Sequence, residues 1–438
     1  MDTTAWVAIA VFAVTIVAVI SNVVDSTVAA LIGVAAMVWL GVMTEVEAFA
    51  LVDWNVMSIL VSVWVIAGYF GKTGVPSWLS MQALRLSGGR PGLLVMILST
   101  LAGVISMFLD NVVVILMMAP VALPLARALK LPVTPLILMI GFAANFMGSA
   151  MLLGDLPPQM LHSVAGVEFM DFFWHLGRPS SFPILAVAFA VTLGAMYLYG
   201  FRGHGRRAVN ISGLGIETRI PNRLFAAVVV GGFLLTVAAM AMRQVLGVKL
   251  GFIALTGAIT LVLVLEMLGD RVNAPPFEHI LGELDWRAVF FYVALFALVG
   301  GLEKVKLLDA LARELRPLFA ENLALGATLL YWITVPIVGI VEHDAYILTF
   351  LYTIRDLQAD GVPPWPLWWM LLWSGTLGSN LTVAGAPALF AALNICQREE
   401  NRKVSLREFL AWSVPFTLVA AVACYALGML IWVLPNVK

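Results

Sequence analysis

The sequence predicts an all-α polytopic membrane protein. It is built of two inverted repeats, with about 10 transmembrane spans, two re-entrant hairpins and two discontinuous helices. Three observations predict this. Of 438 residues, 62% are hydrophobic and 12% charged, with a mean hydropathy of +0.99, whereas soluble domains carry about 25% charged residues. Apolar runs long enough to span recur along the chain but are interrupted in four places by acids, amides and glycines. The interruptions of the second half repeat those of the first at an interval of about 232 positions. The net charge of −1 gives no basic footprint for nucleic acid. Cys396 and Cys424 share no metal-ligand spacing and are expected as buried free thiols.

The N-terminal stretch has no basic region or cleavage site, so residues 6–20 are expected as a first span rather than a signal peptide. Spans follow at about 28–42 and 55–70, then a Gly- and Pro-marked loop over 71–91. Residues 92–128 are apolar but broken at Asp110-Asn111, as in a hairpin. Residues 135–161 are broken at Asn145, Gly148, Ser149, Gly154 and Asp155, then by Pro157-Pro158, as in a discontinuous helix. A span at about 182–199 closes the first repeat, residues 1–200. The basic, Gly-containing segment 201–223 is a linker on the cytoplasmic side, and residues 224–438 form the second repeat.

That repeat begins with spans at 224–241 and 252–268, a polar loop over 269–285 and a span at 288–302. The amphipathic segment 303–315 is expected along the interface. A second hairpin, 323–357, is broken at Glu342-His343-Asp344, and a second broken helix, 365–394, at Gly375, Gly378, Ser379, Asn380, Gly385 and Pro387. A last span covers about 409–433. Asp53-Trp54 matches Asp285-Trp286 at the repeat interval, Gly68 matches Gly300, Lys72 matches Lys304 and Asp110 matches Glu342. Five spans and a hairpin per repeat turn the second repeat upside down. Lys and Arg then favour the side of the linker by about two to one, so both termini are expected outside a cell (inner) membrane.

Broken backbone and ionisable groups at membrane depth are tolerated only inside protein or beside water, and mark a functional site. Asp110, Asn111, Asp155, Glu342, His343 and Asp344 are therefore read as groups that handle a proton or cation. The alternative is that they only close a turn on freed backbone, or that the second tip sits in water. Clustered buried carboxylates raise one another's pKa, and an imidazole exchanges protons near neutrality. Asn145, Ser149, Ser379, Asn380 and Thr382 offer uncharged oxygens and amides; the alternative for them is helix packing. Trp365, Trp368, Trp369 and Trp373 are expected as an interfacial belt. His162, His175, His204 and His279 fall near segment ends and are expected to be solvated.

The run from Ser106 through Asp110-Asn111 to Pro120 resembles the hairpin of the ArsB/NhaD branch of the ion transporter superfamily. That branch includes P-protein-like permeases and citrate-transporter-like domains. Ala144-Asn145 with Gly148-Ser149, Gly154-Asp155 and Pro157-Pro158 is similar to the family's first broken helix. Gly378-Ser379-Asn380-Leu381-Thr382 with Gly385-Ala386 resembles its second. The chain departs at Glu342-His343-Asp344, where the family carries Asp-Asn, at Gln159, where it carries Asn, and at Met151, where Thr is common.

The resemblance implies tips and loops meeting at mid-membrane, a homodimer, no cofactor, and H+ or Na+ as coupling ion. The family moves arsenite, sodium and protons, or carboxylates. Two acidic tips with no cation at the centre would repel a di- or tricarboxylate. A proton-coupled efflux permease for a small inorganic solute of arsenite or antimonite type is thus expected first, with an accessory ATPase as partner in that case. A sodium/proton antiporter is expected second and carboxylate uptake third. A membrane enzyme lacks a second His at i,i+3 or i,i+4 from His343, and a channel has no need of alternating halves.

Overall fold

The computed structural model describes residues 3–21, 24–129, 131–205, 220–341, 343–359, 361–383 and 385–437. It is 82% helical. The first described helices are α1 (Thr3–Ser21), α2 (Ser26–Trp39), α3 (Glu45–Ala50), α4 (Trp54–Lys72) and α5 (Val75–Leu86). Then come α6 (Pro91–Ser106), α7 (Asn111–Leu129), α8 (Val133–Gly148), α9 (Leu156–Ala165) and α10 (Ser181–Met196). The chain continues with α11 (Arg223–Ala241), α12 (Arg243–Leu246), α13 (Leu250–Leu268), α14 (Phe277–Glu283), α15 (Trp286–Lys304) and α16 (Leu307–Glu321). Last are α17 (Leu323–Val338), α18 (His343–Ala359), α19 (Pro364–Gly378), α20 (Pro387–Glu400) and α21 (Leu406–Gly428). A two-residue hairpin, β1 (Trp174–His175) against β2 (Arg178–Pro179), is antiparallel with His175 opposite Arg178.

Polar caps and first-turn prolines set where the helices start. Asp53 accepts from the amides of Asn55 and Val56, at 2.9 and 3.0 Å. Asp285 accepts from Ala288 at 3.0 Å. Asn222 and Asn322 cap α11 and α17, Ser405 caps α21, and Thr44 with Glu47 forms a capping box on α3. Prolines occupy the first turn of α5, α6, α9, α19 and α20, where no amide hydrogen is needed.

Among the described residues seven helices are long and apolar enough to cross a membrane, and five shorter helices are apolar. Large apolar side chains such as Leu235, Phe252 and Met267 face outward. The chain is a multi-pass membrane protein.

The centre is made of α8 and α19. From Thr134 to Gly148 and from Pro366 to Gly378 every residue is buried, as expected for helices apolar all round. α6 and α7 both pack along α8, and α17 and α18 both pack along α19. Each half also reaches into the other: α20 lies on α7 and α8, while α9 lies on α18 and α19. Helix starts recur 232 residues apart at Glu45 and Phe277, Trp54 and Trp286, Val75 and Leu307, Pro91 and Leu323, and Asn111 and His343.

Three expectations are corrected. The segment 71–91 is not a loop: α5 fills it, because Pro76 stands in a helix's first turn rather than breaking a chain. The tryptophans are no interfacial belt. Trp368, Trp369 and Trp373 are buried on α19, with Trp369 5.9 Å from Trp373 and 6.0 Å from Trp432 between ring centroids. His175 belongs to the same stack, 3.9 Å from Trp365, and His162 is buried with Nδ1 2.6 Å from the Val167 carbonyl. Of the four histidines expected to be solvated, His279 is exposed, and the side chain of His204 lies outside the described set. Cys396 and Cys424 are buried free thiols.

Candidate functional site

α8 ends at Gly148 and the chain resumes as α9 at Leu156, where Asp155 accepts from the Leu156 amide at 2.9 Å. The turn between them is pressed against the first hairpin: a Cβ on Gly154 would run into the carbonyls of Ser106 and Gly148. On the second side a Cβ on Gly385 would run into the Ser379 carbonyl. Both breaks therefore bring backbone too close for any residue but glycine. They also leave helix ends facing inward, α8 and α19 with their carbonyl ends and α9 and α20 with their amide ends.

The crossing of α8 and α19 is tied by Asn145. Its Nδ2 donates to Ser379 Oγ at 2.8 Å, to Asn380 Oδ1 at 3.2 Å and to the Thr376 carbonyl at 3.2 Å. Its Oδ1 accepts from Asn111 Nδ2 at 2.9 Å, and the same Asn111 amide donates to Asp155 Oδ2 at 3.1 Å. Ser149 shares a hydrogen bond with Thr376 through their hydroxyls, and its carbonyl accepts from Ser181 Oγ at 2.7 Å. Asn111, Asn145, Ser149, Asp155, Ser379 and Asn380, expected together from the sequence, form one buried network that crosses between the halves.

Asp110 caps α7, accepting from Val112 and Val113 at 2.9 and 3.3 Å. His343 and Asp344 open α18, with Nε2 and Oδ1 3.4 Å apart. Thr382 Oγ1 donates to the Gly339 carbonyl and ties the second break to the second hairpin tip. Glu342 lies outside the described residues.

A cavity of about 580 Å³ reaches these breaks from the surface. Asp110, Asn111, Asp155, His343 and Pro387 line it, so the first turns of α7, α9, α18 and α20 all border one space. Its other walls bring residues the sequence did not single out for the site: Lys72, Glu283, Asp285, Tyr292 and Trp64. The expectation of no cation near the site is thus corrected. Lys72 Nζ is 2.6 Å from Glu283, a partner 211 residues away that no local pattern reveals. Thr376 was also missed, because one hydroxyl in an apolar run carries no signal until the partner helix is known. Carboxylates at Asp110, Asp155, Glu283 and Asp285 against one ammonium make the lining net acidic. Helix N-termini at Asp110 and Asp155 offset part of that charge. Among the described residues no group of three or more His, Cys, Asp or Glu could hold a metal ion. The cavity and its breaks thus offer carboxylates and amides as possible ligands.

Comparison with known proteins agrees with this architecture. The family described as CitMHS, citrate transporter, matches residues 16–374. An uncharacterized transporter of Mycobacterium bovis is 29% identical over 423 residues, covering 94% of this chain and 95% of its own. The human P protein is 23% identical, over 98% of this chain and 60% of its own length. In the solved structures the YdaH transporter of Alcanivorax borkumensis shares the fold, with a TM-score of 0.57 at 14% identity over 90% of this chain and 89% of its own.

Proposed function

We propose, for a chain that belongs to the CitMHS citrate transporter family, that this secondary transporter couples its solute to a proton or sodium ion held at Asp110, Asn111, Asn145 and Asp155. One observation carries the reading: the first turns of α7, α9, α18 and α20 line a single cavity that also reaches the surface. An ion arriving there meets the Asp110 and Asp155 carboxylates, and Asn111 holds Asp155 and Asn145 in one geometry. Protonation or sodium binding removes net negative charge from a low-dielectric site, so the ion changes what else the site accepts.

The solute reading follows from charge. A free polyanion entering this lining meets four carboxylates and one ammonium already paired with Glu283. A neutral hydroxylated solute bears no such repulsion. Proton-coupled efflux of arsenous or antimonous acid is therefore the first reading. Sodium/proton antiport is the second, favoured by the Asn–Asp cluster, which offers oxygen ligands suited to a hard cation. Carboxylate uptake is the third; the family's description and Lys72 favour it.

The helix starts recurring at one interval support an inverted arrangement of residues 1–200 and 224–438 around the 201–223 linker. Termini outside the inner membrane and a homodimer complete the proposal, with no covalent chemistry.

Proteoliposomes test it. With a proton gradient of either sign, arsenite or antimonite flux is expected to follow the gradient and to vanish in Asp110→Asn. Absence of flux with both solutes, alongside sodium-dependent dequenching of a pH dye, moves the assignment to the antiporter. Gradient-driven citrate uptake moves it to the third reading.

A further inference from the structure

α4 and α15 carry matching fittings at both ends. Asp53 and Asp285 cap them, and the indoles of Trp54 and Trp286 donate to the Phe49 and Leu281 carbonyls at 3.2 and 2.9 Å. Lys72, at the end of α4, reaches Glu283 just ahead of α15; Lys304, at the end of α15, reaches Glu47 just ahead of α4, both at 2.6 Å. The end of each helix thus meets the start of the other, so α4 and α15 lie antiparallel with one clamp at each end. Their 19 residues rise about 28 Å, close to the roughly 30 Å of a bilayer's hydrocarbon.

The ends differ in what fills the space beside the clamp. At Lys72–Glu283 the 580 Å³ cavity opens past Gly71, Met117 and Pro120. The positions 232 residues later are Glu303, Thr349 and Tyr352, and there the space is taken. Arg355 Nη2 is 2.7 Å from Glu303 and 3.1 Å from Asp356, and its guanidinium carbon lies 4.7 Å from the Tyr352 ring centre. Leu123, which Arg355 replaces at the interval, can make no such bonds. The contrast reaches the helix faces: Leu116 on α7 is 55% exposed, and its counterpart Leu348 on α18 is 0% exposed.

We infer that Glu303, Arg355 and Tyr352 are the plug of a second mouth to the transport site, on the membrane face opposite the mouth at Lys72–Glu283. Opening it requires Arg355 to leave Glu303 and Tyr352, which frees α18 from α15. The ion pair is about one-third exposed on both sides, which makes it a weak lock. Gly71, Pro120 and Leu123 at the other end offer no equivalent lock, so the resting chain opens at the Lys72 end. The inference rests on transport through this cavity, not on which solute moves.

Thiol accessibility tests it without any solute. Met117→Cys and Thr349→Cys are made separately in full-length protein carrying Cys396→Ala and Cys424→Ala. Membrane vesicles of both orientations then meet a membrane-impermeant maleimide. The thiol at position 117 is expected to react from one face, about 10-fold faster than the thiol at 349. Adding Arg355→Gln is expected to raise labelling at 349 about 10-fold, from the opposite face, and to slow labelling at 117. The exchange Glu303→Arg with Arg355→Glu should restore protection. If Arg355→Gln does not reach the membrane, Tyr352→Ala gives the same readout. Labelling at 349 that is already fast in the parent, comes from the same face as 117, or stays unchanged in both variants overturns the inference. A failed arsenite assay leaves these labelling results standing, so the two failures are distinguishable.

Discussion

The two helix breaks share a backbone plan and differ in chemistry. Between α8 and α9 a carboxylate, Asp155, caps the resumed helix and receives the Asn111 amide. Between α19 and α20 the corresponding cap position is Ala386, with no side-chain cap, and the polar groups are Ser379, Asn380 and Thr382. Glycine is forced at Gly154 and Gly385 alike, because both turns press on carbonyl oxygens. The same close approach occurs in both breaks, but a carboxylate caps the resumed helix only in the first. In the first half Asp110 and Asp155 both stand at helix starts, whereas in the second His343 and Asp344 open α18 and the resumed helix α20 has no side-chain cap.

The comparison breaks most severely at Asn145, the residue that joins the halves. Asn145→Ala removes one of the two acceptors of Asn111 Nδ2, leaving Asp155, and removes the donor to Thr376, Ser379 and Asn380. Buried polar groups left unpaired cost about 1–3 kcal/mol each, so a loss of about 3 kcal/mol and complete loss of transport are expected. Thermal unfolding in detergent and liposome flux measure them.

Ala386→Asp sharpens the comparison by giving the second break the first one's cap. A capping carboxylate is worth about 1 kcal/mol, so the unfolding temperature should rise slightly; a clear fall would mean the two breaks are not interchangeable backbones. Thr382→Val removes the tie from the second break to the Gly339 carbonyl. It should cost about 1 kcal/mol and slow transport without abolishing it, as turnover against the parent protein would show.

The smallest effect is expected far from the breaks. The bond from Lys304, helped by Thr44, holds the Glu47 carboxyl down at about 2, against an ordinary 4.5. Its folded value is depressed, so its contribution is present above pH 4.5 and fades as pH falls toward about 2. Unfolding temperatures of wild type and Glu47→Gln should differ at neutral pH and converge over that acid range.

Much of this was legible in the sequence, because a carboxylate, an amide or a glycine inside an apolar run has few other uses. Asp110, Asn111, Asn145, Asp155, Ser379 and Asn380 stood out that way. What stayed hidden depends on distant partners. Lys72 looked like an ordinary helix end until Glu283 met it, and Thr376 like one more apolar-run hydroxyl until α8 crossed α19. Trp369 and Trp373 suggested an interface because tryptophan favours one; only the complete burial of α19 places them inside. The helix α5 was missed although the repeat could have revealed it. Its counterpart α16 is plainly amphipathic and starts 232 residues later, while Gly74, Pro76 and the Gly88-Gly89 pair disguise α5 as a loop.

Asp155→Asn tests the central claim most directly. Asparagine caps a helix about as well as aspartate, so the fold should persist while the ionisable group is gone. In proteoliposomes, wild type should discharge an imposed proton or sodium gradient, and Asp155→Asn should leave it standing at an unchanged unfolding temperature. Discharge by Asp155→Asn at the wild-type rate would contradict an ion site in the first break.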